Sequence, residues 1–182
     1  TPRQDVVFED FEKGVYEGWT AEGEAFGAGP VKIKEIPDYQ GDVAGQGEYV
    51  VNSHASAPGK DITAKDGSVG KLTSRPFTIE RNYIMFLIGG GPHEGKTCIN
   101  LLVDGEVVAS ATGAGNNRMS STNFDVRPWQ GKTAQLQIVD NFSGSWGNIG
   151  VDQIVFTDQP IQNSNLIEQR DFGSMSLALF GS

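Results

Sequence analysis

Asp140, Trp146 and Asn148 share one short run, Asp140-Asn-Phe-Ser-Gly-Ser-Trp-Gly-Asn148. A carboxylate and a carboxamide can orient hydroxyl groups, the first by accepting hydrogen bonds and the second by accepting and donating. A ring flanked by glycine is free to lie flat, and stacking a sugar on it buries apolar C–H surface at about 25 cal/mol per Å². Two other Gly-rich segments offer matching groups. Gly89-Gly-Gly-Pro-His93-Glu-Gly carries an imidazole, and Gly113-Ala-Gly-Asn116-Asn-Arg118-Met carries amides and a guanidinium. Taken together, His93, Asn116, Arg118, Asp140, Trp146 and Asn148 suit recognition of a polyhydroxyl ligand. Each has a plainer reading as well. His93 and the 116–118 segment can be solvated turns, and Trp146 can cap the core while Asp140 bonds backbone amides.

A second pair is Glu12, in Asp10-Phe-Glu12, and Asp152, in Val151-Asp-Gln-Ile154. If the first and last strands lie side by side, the two carboxylates converge with backbone carbonyls. Hard oxygen ligands of this kind suit Ca²⁺, and like charges brought close call for a cation. Such an ion would staple the termini and contribute folding energy rather than chemistry. The alternative is two solvated strand-end carboxylates.

Catalytic signatures are missing from the sequence. There is no Gly-x-Ser-x-Gly, no His-Glu-x-x-His and no zinc-ligand spacing. The glycines at 89–91 are not followed by a phosphate-loop Gly-Lys-Ser/Thr at the required spacing. Nothing singles out two carboxylates for glycoside cleavage. The expectation is a binding domain, not an enzyme. Its alternatives are a hydrolase-like domain acting on polysaccharide itself and a structural or interaction domain of a secreted surface protein.

The elements that must position these residues are short and β-prone. Asp5–Glu12, 31–36, 48–53, 71–79, 83–88, 97–103, 106–112, 122–126, 132–139 and 150–156 read as strands, about nine or ten in all. Asp104-Gly105 is a two-residue hairpin turn. At 132–139, Ala134, Leu136 and Ile138 alternate with Gln135 and Gln137. Residues 27–47 and 54–70 read as loops, apart from the possible strand at 31–36, and no segment holds a helical period. This pattern predicts an all-β fold, an antiparallel β-sandwich of jelly-roll, concanavalin-like or galactose-binding-like type. The expected organisation is one sandwich over residues 1–158. Residues 159–182 would form a linker, a returning strand or the start of a further domain.

Composition narrows the partners. With 14 basic and 23 acidic residues the net charge is −9, which argues against nucleic acid and anionic membrane surfaces. No apolar run reaches the roughly 20 residues of a membrane helix. The single cysteine, Cys98, lies in a strand pattern and reads as a small buried hydrophobe. The chain starts at Thr1 without an initiator Met or an apolar leader, so it reads as a mature or excised piece, with any signal peptide lost from view.

Several ordered motifs carry a resemblance. They are Phe11-Glu-Lys-Gly-Val-Tyr-Glu-Gly-Trp19, Gly23-Glu-Ala-Phe-Gly-Ala-Gly-Pro30 and Gly70-Lys-Leu-Thr-Ser-Arg-Pro-Phe77. Phe86-Leu-Ile-Gly-Gly-Gly with His93, Thr97–Gly105 and Gly144-Ser-Trp-Gly-Asn-Ile-Gly-Val-Asp-Gln-Ile154 follow. Over about residues 6–158 the chain resembles the β-sandwich modules attached to glycoside hydrolase family 32 levanases and fructosidases, which are similar to carbohydrate-binding module family 66. The resemblance implies a bacterial, secreted, periplasmic or cell-surface module that binds terminal fructose units of levan-type fructan. It also implies a covalently linked catalytic domain that the module brings to its polymer. Phe11-Glu12 with Val151-Asp152 further resembles the structural Ca²⁺ arrangement of other sugar-binding jelly rolls. Two departures stand out: an extended loop at 55–69, and Asn148 where the family pattern leads one to expect a His.

Overall fold

The computed structural model describes residues 1–161. The connector and the apolar stretch expected within 162–182 lie outside the described residues. Among the described residues, twelve strands form two six-stranded antiparallel sheets. In chain order they are β1 (Val6–Glu9), β2 (Trp19–Gly23), β3 (Val31–Lys32), β4 (Tyr49–Asn52), β5 (Gly70–Ser74) and β6 (Phe77–Thr78). β7 (Tyr83–Gly90), β8 (Thr97–Val103), β9 (Glu106–Thr112), β10 (Asn116–Asp125), β11 (Thr133–Asp140) and β12 (Ile149–Thr157) complete the set.

One sheet runs β10-β7-β12-β4-β3, with β1 added beside β12. The other runs β2-β5-β11-β8-β9, with β6 added beside β11. The alternation at 132–139 is realised in β11, where Ala134, Leu136 and Ile138 are buried. They join Leu72, Phe86, Ile99, Leu101, Val151 and Ile154 in the main core between the sheets. Cys98 is buried and free, and Trp19 packs its ring in the same core. The Asp104-Gly105 turn has both residues at positive φ, 53° and 80°, as a two-residue hairpin of the primed type demands.

Four local expectations are corrected. The strand expected at 31–36 stops at Lys32, and Ile33–Glu35 forms a 3₁₀ turn. Ile33 and Ile36, three apart, would face opposite sides of a strand; a 3₁₀ turn eclipses them. Both then pack on the small cluster of Val43, Val50 and Met119. The run 71–79 divides at Arg75-Pro76 into β5 and β6, since proline cannot donate to the ladder. The turn expected at 116–118 instead opens β10, with a register shift between Asn116 and Ser120. Within the expected 54–70 loop lie two short helices, α1 (Ser53–Ser56) and α2 (Ile62–Gly67). Among the described residues no helix is long and apolar enough to cross a membrane.

One end of the sandwich collects the polar segments. β4 and β7 finish there and β10 and β12 begin there, as the pairs Gly150–Asn52, Ile149–Gly90 and Asn116–Gly90 establish. The 141–148 loop crosses at that end from β11 of one sheet to β12 of the other.

Candidate functional site

A cavity of about 260 Å³ opens at this end, lined by Tyr39, Gln40, His54, Ile62, Asp66, Asn117, Ser145, Trp146 and Asn148. Its rim is apolar. Tyr39 and Ile62 are 56% and 52% exposed. Its floor is polar and held in place. Asn148 Nδ2 donates to Asn117 Oδ1 at 3.0 Å, and Asn52 Nδ2 donates to Gln40 Oε1 at 3.2 Å.

The floor depends on the junction between β4 and α1. Asn52 caps α1 by accepting from the amides of His54 and Ala55 at 3.1 and 2.9 Å. Ser53 Oγ accepts from the Ile149 amide at 2.8 Å and ties the helix to β12. His54 is thereby driven inward, to 3% exposure. Its Nδ1 lies 2.7 Å from Asp66 Oδ1, and its Nε2 lies 2.6 Å from the Tyr39 hydroxyl. Asp66 comes from α2, whose N-terminus is capped by Asp61 on the Ala64 amide at 2.8 Å.

The residues expected from sequence are distributed as follows. Trp146 and Asn148 line the cavity, with Trp146 at φ 60°. Asp140 does not reach it. It is completely buried at the end of β11, and neither carboxylate oxygen meets a donor in hydrogen-bonding geometry. Burial pushes its carboxyl up to about 7; the Ser53 hydroxyl and Phe142 amide offset part of this, and Asp66 adds to it. His93 supports the loop from behind. Its ring stacks on Phe142 at 3.5 Å, and its Nε2 lies 3.0 Å from the Ser145 carbonyl. Asn116 accepts from the Arg118 amide at 2.9 Å, and Arg118 pairs with Asp42 at 2.9 Å on the exposed surface. Neither of these two lines the cavity.

Gly89, Gly90 and Gly91 serve packing rather than ligand approach. A Cβ at these positions would meet the carbonyls of Asn117, Asn148 and Trp146 respectively. Tyr39, Gln40, His54, Ile62 and Asp66 were not singled out from sequence, and Asn117 only as one of the amides of the 116–118 segment. The available signal was Asn52 and Asp61, both helix-capping residue types, inside the 27–69 region.

Glu12 and Asp152 do converge, through the segment 46–49. Asp152 Oδ2 accepts from the Gln46 amide at 2.8 Å. Glu12 accepts from the amides of Glu48 and Tyr49 at 2.8 and 3.1 Å. Gly47, between them, has φ 68°, and a Cβ there would press on the Glu12 carboxylate at 2.5 Å. Two non-glycine residues in the left-handed region flank the pair, Phe11 at φ 62° and Gln153 at φ 53°, and backbone strain of this kind concentrates at functional positions. Asp152 is fully buried and its Oδ1 has no partner. Burial raises its carboxyl to about 7, partly offset by the Gln46 and Gln153 amides and reinforced by Glu12 and Asp10. Among the described residues no three His, Cys, Asp or Glu side chains form a metal-like group, so any ion here needs backbone carbonyls beside the two carboxylates.

No protein-family model matches the chain. Over 166 residues, 89% of its length, it is 34% identical to ecdE of Aspergillus rugulosus, whose name carries a provisional glycosyl hydrolase assignment. The chain spans 22% of that relative. Among solved structures it is similar to the K2 cleaved adhesin domain of Lys-gingipain, with TM-score 0.55 and 17% identity over 84% of this chain and 99% of that one. It is similar to a cyclase from Fischerella sp. TAU, with TM-score 0.51 and 15% identity over 87% and 100%. TmCBM61, solved with β-1,4-galactotriose, also matches, with TM-score 0.47 and 16% identity over 81% and 92%. At such identities the adhesin and cyclase likenesses concern the fold alone, an antiparallel β-sandwich that hosts unrelated functions.

Proposed function

We propose that this chain is a carbohydrate-binding module that holds a terminal sugar unit in the cavity beside Trp146. One observation carries the reading: a small cavity with Tyr39, Ile62 and Trp146 around a floor of fixed amide, imidazole and carboxylate groups. Sugars present apolar C–H faces and hydroxyl edges, and this lining offers a partner for each. Among the described residues Asp66 is the one carboxylate that lines the cavity, and it can accept hydrogen bonds from sugar hydroxyls. The favoured ligand is fructan of the levan type, on the sequence resemblance, with the module attached to a glycoside hydrolase. Binding at one shallow site should be weak, about 0.1–1 mM.

Amide NMR signals of residues 141–148 should shift on adding a short levan oligosaccharide, and Trp146→Ala should remove the shift. No response to a broad glycan panel would sink the binding reading. Release of reducing sugar by this chain alone would transfer it to the hydrolase class.

We further propose a structural Ca²⁺ at Glu12 and Asp152, supported by the orphaned Asp152 Oδ1 and the left-handed residues beside each carboxylate. When bound, the ion neutralises the paired carboxylates. Glu12 is already oriented by two amides, and Asp152 by one. A secreted or cell-surface location is consistent with the weak Ca²⁺ sites of extracellular modules.

A further inference from the structure

Three side chains from three separate elements form one hydrogen-bonded chain that ends at the cavity. Asp66 on α2 meets His54 Nδ1 at 2.7 Å, and His54 Nε2 meets the Tyr39 hydroxyl at 2.6 Å. The Tyr39 and His54 rings sit edge to face at 5.5 Å and 89°. Both imidazole nitrogens are therefore engaged, and the ring is buried.

A neutral imidazole has one N–H and one lone pair. An ionised Asp66 carboxylate can only accept, so it draws the proton to Nδ1 and leaves the lone pair of Nε2 toward Tyr39. The phenol then donates its one hydrogen to His54. What it has left for the cavity is the lone pairs of its oxygen. We infer that the Asp66–His54 pair is a positioning device that fixes Tyr39 as a hydrogen-bond acceptor, so that the site selects a ligand hydroxyl that donates there. The ligand class in this inference rests on the sugar-binding reading; the direction of the hydrogen bond does not.

Protonation of His54 reverses the polarity. Both nitrogens then carry N–H, Nε2 must donate to Tyr39, and the phenol hydrogen turns toward the cavity. The phenol itself stays protonated, since partial burial and then Asp66 raise it above its ordinary value. Other charged groups bear on the imidazole from the packed elements. Lys65 on α2 donates to the carbonyls of His54, Ala55 and Ala57 at 3.5, 3.2 and 2.8 Å. Asp140 on β11 is coupled electrostatically to Asp66.

The test begins without a sugar. In ¹⁵N-labelled protein at pH 8, ring-nitrogen correlations should show His54 protonated at Nδ1 and bare at Nε2. The opposite tautomer overturns the inference. Affinity for a short levan oligosaccharide should then weaken about three- to tenfold, the worth of one hydrogen bond, as pH falls and the ring-nitrogen signals report a second proton on His54. Tyr39→Phe, at an exposed position, should weaken binding by about the same factor at pH 8 and flatten the pH profile. A merely structural Tyr39 would not flatten it. Wild-type binding that is indifferent to pH, or a Tyr39→Phe variant that keeps the slope, overturns the inference. Failure of the oligosaccharide to bind wild type at pH 8 sinks the sugar reading instead, and the tautomer alone then decides the direction of the bond.

Discussion

Asp140 and Asp152 share a burial state and differ in what surrounds them. Both are fully buried, on the central strands β11 and β12 of opposite sheets. Both carboxyls are pushed up to about 7, first by burial. Asp152, however, has an amide on one oxygen and a partner carboxylate, Glu12, held by two more amides. Asp140 has no donor in bonding geometry on either oxygen. Burial alone therefore does not mark an ion site. The difference is a neighbouring carboxylate, Glu12, oriented by the Glu48 and Tyr49 amides, with left-handed backbone beside each carboxylate at Phe11 and Gln153. At Asp140 the remedy the surroundings favour is a proton.

The largest expected effect is on stability against pH, and it applies to both carboxyls until an ion takes up the charge on Asp152. A carboxyl raised from 3.8 to about 7 on folding binds its proton more tightly in the folded state. Its contribution is therefore fully present below about pH 3.8 and is lost as pH rises toward 7. At about 1.4 kcal/mol per tenfold, the loss is on the order of 3–4 kcal/mol. Asp140→Asn should recover much of this at pH 8, raising the melting temperature there while changing it little at pH 4. A variant that melts lower at pH 8 would mean that Asp140 is ionised and satisfied, and the contrast with Asp152 would collapse.

Next in size is the response to calcium. Ca²⁺ at a hundredfold its dissociation constant should stabilise the domain by about 2.7 kcal/mol, and chelator should reverse this. Asp152→Asn should abolish the response, while Asp140→Asn should leave it intact. An unchanged melt in chelator would reduce Glu12 and Asp152 to ordinary carboxylates.

The contrast also bears on what could be read from sequence. The Glu12–Asp152 convergence was legible because it follows from pairing the first and last strands, and β1 does pair with β12. Strands such as β11 were legible because one face is buried along their whole length. The floor of the cavity was not. Tyr39, His54 and Asp66 ride on elements of three, four and six residues, too short for any period to register. Their positions are set by long-range ties, such as Ser53 to Ile149, that no local pattern encodes. Trp146 and Asn148, which line the cavity, carry a local signal, glycine beside an aromatic and an amide. Arg118 gave an equally good local signal, yet the strand β10 carries it out to Asp42.

A third effect concerns the ligand. Trp146→Ala should lower affinity for the levan oligosaccharide by roughly tenfold or more, since an aromatic face contributes about 1.5–3 kcal/mol when fully covered. Calorimetry at constant Ca²⁺ would read it, and an unchanged affinity would place the ligand elsewhere.

The smallest effect distinguishes a residue that supports the site from one that merely lies near it in sequence. His93 stacks on Phe142 and contacts the Ser145 carbonyl, within the loop that carries Trp146. His93→Ala should cost about 0.5–1 kcal/mol of binding by loosening that loop, without removing any group that lines the cavity. Arg118→Ala breaks an exposed pair with Asp42, and exposed pairs contribute little. It should leave both melt and affinity unchanged. If instead Arg118→Ala weakened binding and His93→Ala did not, the ligand would have to extend past Asn117 along β10. The Trp146 cavity would then be one end of a longer groove.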